Sequence, residues 1–265
     1  MSADVVIRNA RVIDGSGGPA VEADVAVTGD RITALAPVIG NQRADNQRTV
    51  NQGAREIDAA GKVLAPGFVD VHTHDDGALI RHPGMEFKVA QGCTSLVIGN
   101  CGFSGAPASP GEAEPSGLIG VSPTWSDMAG FAAAIEAGSP SVNAMALVGH
   151  NTIRSLVMGP QTAETERRSP TDAELEAMQG HVRSAMEQGA CGFSSGLVYK
   201  PGRFCETEEL ISLASESAAA GGIYATHMRN EGDHLLRAVD EAIQIGASAG
   251  LPVQISHHKS AGKQT

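Results

Sequence analysis

The chain has 265 residues, 42% apolar and only 3% aromatic, which is enough to fill one sizeable core packed largely by small residues. Its formal net charge of −11 argues against partners that need a basic surface, so neither nucleic acid nor an anionic membrane is expected. The start "MSADVVIRNARVIDG" has no basic segment leading into an apolar one, and nowhere is there an apolar run of about 18 residues. The four cysteines, Cys93, Cys101, Cys191 and Cys205, form no CxxC pair, and the reading is a cytoplasmic protein with free thiols.

Residues 1–62 carry short alternating stretches, "DVVIRNARVID", "ADVAVTGDRITALAPV" and "REIDAAGKVLAPG", broken by Gly, Asp and Asn. They predict a small β module of antiparallel strands joined by tight turns. Within it the polar run 41–53, "NQRADNQRTVNQG", reads as an exposed loop. From residue 63 to 265 the rhythm changes to strand followed by helix, with strands expected at 67–73, 94–99, 143–149, 190–195, 222–227 and 252–257. Such alternation predicts parallel strands with right-handed crossovers, an α/β fold in the form of a (β/α)8 barrel represented by about six units. A doubly wound open sheet competes, but no GxGxxG follows the first strand of this region.

Helix signals agree with that frame. Thr171 and Glu174 make a capping box ahead of Leu175, Met178, Val182 and Met186 at helical spacing. The segment "ETEELISLASESAAAGG" ends on Gly221 and Gly222, and Leu235, Leu236, Val239 and Ile243 predict the buried face of a helix closed by Gly250. Residues 101–124, rich in Gly, Pro and Ser, read as a long loop over the strand ends.

The chemistry gathers where strands end. His72 and His74 of "GFVDVHTHDDG" follow the first strand, Cys101 of "GNCGF" the second, His227 of "YATHMRN" the fifth and His257 of "QISHHK" the sixth. Residues i and i+2 of an extended strand share a side, which sends both imidazoles of the HxH pair the same way. In a parallel barrel the C-terminal strand ends meet on one rim, where active sites lie. A mixed thiolate and imidazole set favours zinc, at about 2.3 Å from sulfur and about 2.0–2.1 Å from nitrogen. Such an ion makes water acidic and polarises a carbonyl, so amide or ester hydrolysis is the natural reaction class.

The motifs "APGFVDVHTHDD", "GNCGFS", "VGHNTIR", "GFSSGLVYKPG", "THMRNEGD" and "ISHHK" together resemble the amidohydrolase superfamily and, within it, the N-acyl-D-amino-acid deacylases, from end to end of the chain. The resemblance implies a metal-dependent barrel beside a small β-sandwich of which the N-terminal module is part. It implies that Cys101, His227 and His257 hold one tightly bound zinc and that His72 and His74 serve a second, weaker ion sharing Cys101. Tyr199 matches a substrate-contacting tyrosine, and the substrate would be a small N-acyl-D-amino acid, cleaved to a carboxylate and a free D-amino acid. Lys200 and Arg203 are cations that could attract a substrate carboxylate. Asp75 and Asp76 are expected to hydrogen-bond around the site or cap its loop, and Arg229 and Glu231 to pair with each other beside it.

The family takes its general-base aspartate from the eighth strand, whereas this chain reaches "SAGKQT" just past the sixth. The reading therefore expects a C-terminally truncated piece with that aspartate beyond residue 265 and with little or no activity of its own. Two alternatives stand beside it. A cyclic amide or imide hydrolase of the same superfamily would be expected to bridge its ions with a carboxylated lysine, not a thiolate. A catalytically silent scaffold homologue has no need of five metal-compatible side chains.

Overall fold

A computed structural model describes residues 3–39, 54–112, 117, 120–165 and 167–262. The chain divides into two compact units, Met1–Gly67 and Phe68–Thr265.

The first unit is one sheet of β1 (Val5–Val12), β2 (Val21–Thr28), β3 (Arg31–Ala36), β4 (Arg55–Asp58) and β5 (Val63–Leu64). Strands β1 to β3 form the expected antiparallel meander, with Gly29 at φ +59 making the tight turn between β2 and β3. The expectation of antiparallel pairing fails for β4 and β5, which both run parallel to β1. Parallel neighbours cannot be joined by a hairpin, and the β2–β3 hairpin separates β1 from both β4 and β5 along the chain. The loop expected at 41–53 lies outside the described residues. A register shift in β1 falls between Ile7 and Ala10, where Asn9 takes φ +53. The buried carboxylate of Asp24 holds that irregularity by accepting from Asn9 N at 3.0 Å and pairing with Arg8 at 2.9 Å.

The second unit is built on β6 (Phe68–Asp70), β7 (Cys93–Ile98), β8 (Asn143–Gly149), β9 (Gly192–Gly196), β10 (Ile223–His227) and β11 (Val253–Ile255). The six strands pair in chain order and all in parallel. A doubly wound sheet would reverse that order at a switch point, so the connectivity is that of a (β/α) barrel. The helices are α1 (Ala78–Arg81), α2 (Glu86–Val89), α3 (Met128–Ala137), α4 (His150–Met158), α5 (Pro160–Thr165), α6 (Asp172–Glu187), α7 (Thr207–Ala219) and α8 (Leu235–Ala249). Between β7 and α3 the described residues form only a short 3-10 turn, Asn100–Gly102, in keeping with the long loop expected there.

Sheet and helices meet in one core containing Leu96, Ile98, Val148, Phe193 and Tyr224 from the strands and Met178, Val182, Leu210, Leu213 and Ile245 from the helices. Strand alternation is visible in β9: Phe193 stacks on Tyr224 at 5.9 Å, while Ser194 turns to the opposite side and bonds the loop after β7. Helix α6 begins with the complete capping box of Thr171 and Glu174. Helix α8 differs from expectation. Its buried side is Ala238, Ala242, Ile245 and Gly246, whereas Leu236 and Ile243 are 78% and 57% exposed. A Cβ on Gly246 would come within 2.1 Å of Val253, so the helix seats this glycine against β11, while Leu236 and Ile243 turn outward.

Between the sheet and α7 lies a buried ionic cluster. Glu209 accepts from His150 Nε2 at 2.7 Å and from Arg154 Nη1 at 2.6 Å, and all three side chains are almost fully inaccessible. Burial alone would raise the Glu209 carboxyl pKa, but His150 and Arg154 outweigh it and the net direction is down. A carboxylate with a depressed folded pKa contributes stability that is complete above its unfolded value and is lost as pH falls through the folded one. Glu209→Gln is therefore expected to cost about 3–5 kcal/mol at neutral pH, by leaving Arg154 buried without its counter-charge. It should also flatten the acid limb of stability below the usual carboxylate range; urea unfolding across pH measures both.

Candidate metal centre

The turn after β7 carries the sequence Gly99-Asn100-Cys101-Gly102, and three of its residues are left-handed: Gly99 at φ +75, Cys101 at φ +55 and Gly102 at φ +80. Glycine adopts that region freely, but a cysteine held there costs on the order of 1–3 kcal/mol, which marks a position the surroundings enforce. The enforcement is visible. Ser194 bonds both ends of the turn, donating to Gly99 O and accepting from Gly102 N. Asp76, buried one turn after the HxH pair, accepts from Gly99 N at 3.3 Å and Gly105 N at 3.2 Å. Gly196 lies so close that a Cβ there would sit 2.0 Å from Cys101 O.

The result is a thiol facing three imidazoles. Cys101 Sγ is 3.4 Å from His72 Nε2, 3.7 Å from His227 Nδ1 and 3.7 Å from His257 Nε2. The rings of His227 and His257 stand 4.4 Å apart edge to face, and those of His72 and His257 4.8 Å apart. His74 is beside this group but not within it: its ring centre is 5.4 Å from that of His72, and it joins none of the three-donor groups found among the described residues. The regular strand ends at Asp70, although Thr73 N still bonds Val97 O at 3.2 Å, and Asp70 Oδ1 accepts from His72 N at 3.2 Å.

Electrostatics matches the geometry. Burial first, then the neighbouring imidazoles, pushes His72 down to about 4. Burial takes His227 to about 4 as well, against the opposing pull of Glu231, and His74 is also lowered, by burial and then by His257. Burial pushes the Cys101 thiol up to about 12. At neutral pH the imidazoles of His72, His74 and His227 are thus uncharged, with lone pairs free, and the thiol keeps its proton unless a cation is brought to it.

The remaining expected residues distribute as follows. Tyr199 follows β9, is 42% exposed and stands edge-on to His227 at 4.9 Å. Lys200 and Arg203 are exposed on the same loop, with Arg203 over the Phe204 ring at 6.0 Å. Asp75 bonds Thr73 Oγ1 and pairs with Lys88 at 2.9 Å; Lys88 also pairs with Asp70 at 2.7 Å. The expected Arg229 and Glu231 pair does not form. Arg229 turns to Glu241 at 2.8 Å, because α8 places that carboxylate beside it, and Glu231 pairs with Lys259 at 2.5 Å. Glu231, expected beside the site only as the partner of Arg229, and Lys259, not singled out in the sequence, therefore stand against His257; the approach of Glu231 depends on the pairing of β10 with β11.

Gly196→Ala is expected to cost roughly 1–3 kcal/mol through this overpacking and to lower the urea midpoint, with the Cys101 turn as the segment that must move.

Comparison with known proteins agrees with the architecture. The model of the "Amidohydrolase family" matches residues 55–264. An N-acyl-D-glutamate deacylase of Alcaligenes xylosoxydans xylosoxydans is 43% identical over 258 residues, 97% of this chain and 50% of that protein. A D-aminoacylase of the same organism is 41% identical over 98% of this chain and 51% of its own length. The crystal structure of N-acyl-D-glutamate deacylase from Bordetella bronchiseptica, complexed with zinc and a phosphonate inhibitor, superposes with a TM-score of 0.88 at 37% identity, covering 100% of this chain and 53% of that one. The chain thus spans about half the length of the relatives it matches. With a parallel sheet in barrel order, a thiol among imidazoles on one rim and this breadth of similarity, the chain belongs to the amidohydrolase family.

Proposed function

We propose that this chain carries the zinc-binding part of a hydrolase that cleaves the amide bond of N-acyl-D-amino acids to a carboxylate and a free D-amino acid. The observation that carries the reading is the placement of Cys101 Sγ within 3.4–3.7 Å of nitrogens of His72, His227 and His257. A zinc ion accepted among these donors needs only small side-chain shifts, and a soft sulfur with neutral imidazoles is the donor set that zinc prefers. Cys101, His227 and His257 would hold the tight ion, and His72 and His74 a second, weaker one sharing the sulfur. Zinc bound there supplies Lewis acidity to a carbonyl and to water.

The chain's own residues supply the rest. Tyr199, exposed and edge-on to His227, offers a hydroxyl and a ring face to the substrate, and burial raises its pKa so that it stays a donor at neutral pH. Lys200 and Arg203, exposed on the same loop, can attract the substrate carboxylate. The turn of Gly99 to Gly102, fastened by Ser194 and Asp76, keeps the sulfur fixed. A lysine-bridged centre of the kind expected for cyclic amide hydrolases has less support, since Lys88 is committed to Asp70 and Asp75.

Zinc titration and a hydrolysis assay test the reading. The protein is expected to bind zinc tightly and Cys101→Ala to lose tight binding. Release of free amino acid from N-acetyl-D-glutamate or N-acetyl-D-methionine, and not from their L forms, is the activity expected of the protein extended to the length of its relatives. Ring opening of hydantoin without D-acyl cleavage would replace the reading, and full zinc content in Cys101→Ala would remove the sulfur from the centre.

A further inference from the structure

His72 and His74 lie just past the regular part of the sheet, since pairing of β6 stops at Asp70. Beyond it the backbone is tied to β7 by Thr73 N, which donates to Val97 O at 3.2 Å, and to the turn after β7 by Asn100 Nδ2, which donates to Thr73 O at 3.4 Å. Both bonds fall on the residue between the two histidines.

A single ammonium gathers the rest of the segment. Lys88 Nζ, from α2, donates to Asp70 Oδ2 at 2.7 Å and to Thr73 Oγ1 at 3.3 Å, and forms an ion pair with Asp75 Oδ2 at 2.9 Å. It therefore reaches residues before, between and after the two imidazoles. Asp70 accepts from His72 N through its other oxygen at 3.2 Å, and Thr73 Oγ1 donates to Asp75. The side chains of Lys88, Asp70 and Asp75 are 15%, 28% and 20% exposed, and pairs shielded to this degree are worth more than fully exposed ones. Two carboxylates this close to one point repel each other, so removing the ammonium would both free the segment and push its ends apart. Lys88 is itself set by the start of α2, where Met85 is fully buried in the core and its carbonyl accepts from Lys88 N at 2.9 Å.

The other candidate ligands are held by different parts of the chain. Cys101 sits in the turn fastened by Ser194 and Asp76, His227 ends β10 and His257 follows β11. Asp76, although next to Asp75, has its own bonds to Gly99 N and Gly105 N. Resting on the zinc reading above, we infer that Lys88 is a positioning residue for one half of the centre: its ammonium holds the HxH segment in the shape that presents His72 and His74 to the second ion, without serving as a ligand.

Stepwise zinc affinities, by competition with a chromophoric chelator, and amide hydrogen exchange of residues 70–76 in the zinc-free protein test this. Wild type is expected to bind two ions of unequal affinity. Lys88→Met should weaken the second about 10–100-fold, leave the first within about 2-fold, and speed exchange of the His72 and Thr73 amides. Lys88→Arg keeps the charge and should restore part of the second affinity. Asp75→Asn is a smaller change that leaves the ammonium on Asp70; it covers the case of a Lys88→Met that does not fold, and should weaken the same ion. Second-ion affinity within about 2-fold of wild type in Lys88→Met, or in Asp75→Asn where Lys88→Met does not fold, overturns the inference. Equal losses at both ions would mark a general structural role and also overturn it. A wild type that takes up no second ion overturns the two-ion reading and this inference with it, and is told apart by appearing without any substitution.

Discussion

The arrangement of the second unit depends on one strained turn. Cys101 can face three imidazoles only because its backbone is left-handed, and that conformation is imposed on a residue with a Cβ by the glycines on either side and by hydrogen bonds from two other parts of the chain. Ser194 comes from the strand two places along the sheet and Asp76 from the segment after the HxH pair, so the sulfur's position is set by β6, β7 and β9 together. Backbone contacts do as much as side chains. Gly196 must lack a Cβ for the Cys101 carbonyl to pass, and Gly149 must lack one for the Gly102 carbonyl, where a Cβ would meet it at 2.4 Å. The rim is therefore assembled by close approach of neighbouring strand ends, a geometry that only sequential parallel strands provide.

Behind that rim the motif "HNTIR" opens helix α4 and serves packing and support. Its Asn151 donates to Gly196 O, and its Oδ1 occupies the space over Gly102 and Gly202, so one buried amide touches the cysteine turn, the end of β9 and the tyrosine loop. His150 and Arg154 from the same helix anchor Glu209 of α7. A group of His150, Cys205 and Glu209 has metal-compatible atoms in proximity, yet the guanidinium on Glu209 makes it a charge-neutralised structural cluster, a poor place for a further cation.

Much of this was legible in the sequence because the signals were local. The alternation of short apolar strands with helical segments gave all six parallel strands, and the capping box at Thr171 and Glu174 gave the start of α6. Cys101, His72, His227 and His257 could be grouped because each follows a strand that a barrel brings to one rim. What failed was decided by partners far away in the chain. Helix α8 looks amphipathic about its leucines, but its buried side is Ile245 with Ala238, Ala242 and Gly246, the glycine set where β11 comes so near that a Cβ would meet Val253. The parallel pairing of β4 and β5 with β1 is set by sheet geometry, which the alternating pattern cannot report. Arg229 had two acidic candidates, Glu231 and Glu241, and the choice between them came from the placement of α8.

The commitment of Lys88 to two carboxylates, with a thiol at the hub of the imidazoles, carries a consequence for how such a centre matures and fails. A carbamate made on a lysine depends on dissolved carbon dioxide and on a free amine, and neither enters an assembly organised around sulfur. Sulfur chemistry takes its place: oxidation of the buried Cys101 sulfur to a sulfenic or higher acid would change both its charge and its size where three rings converge.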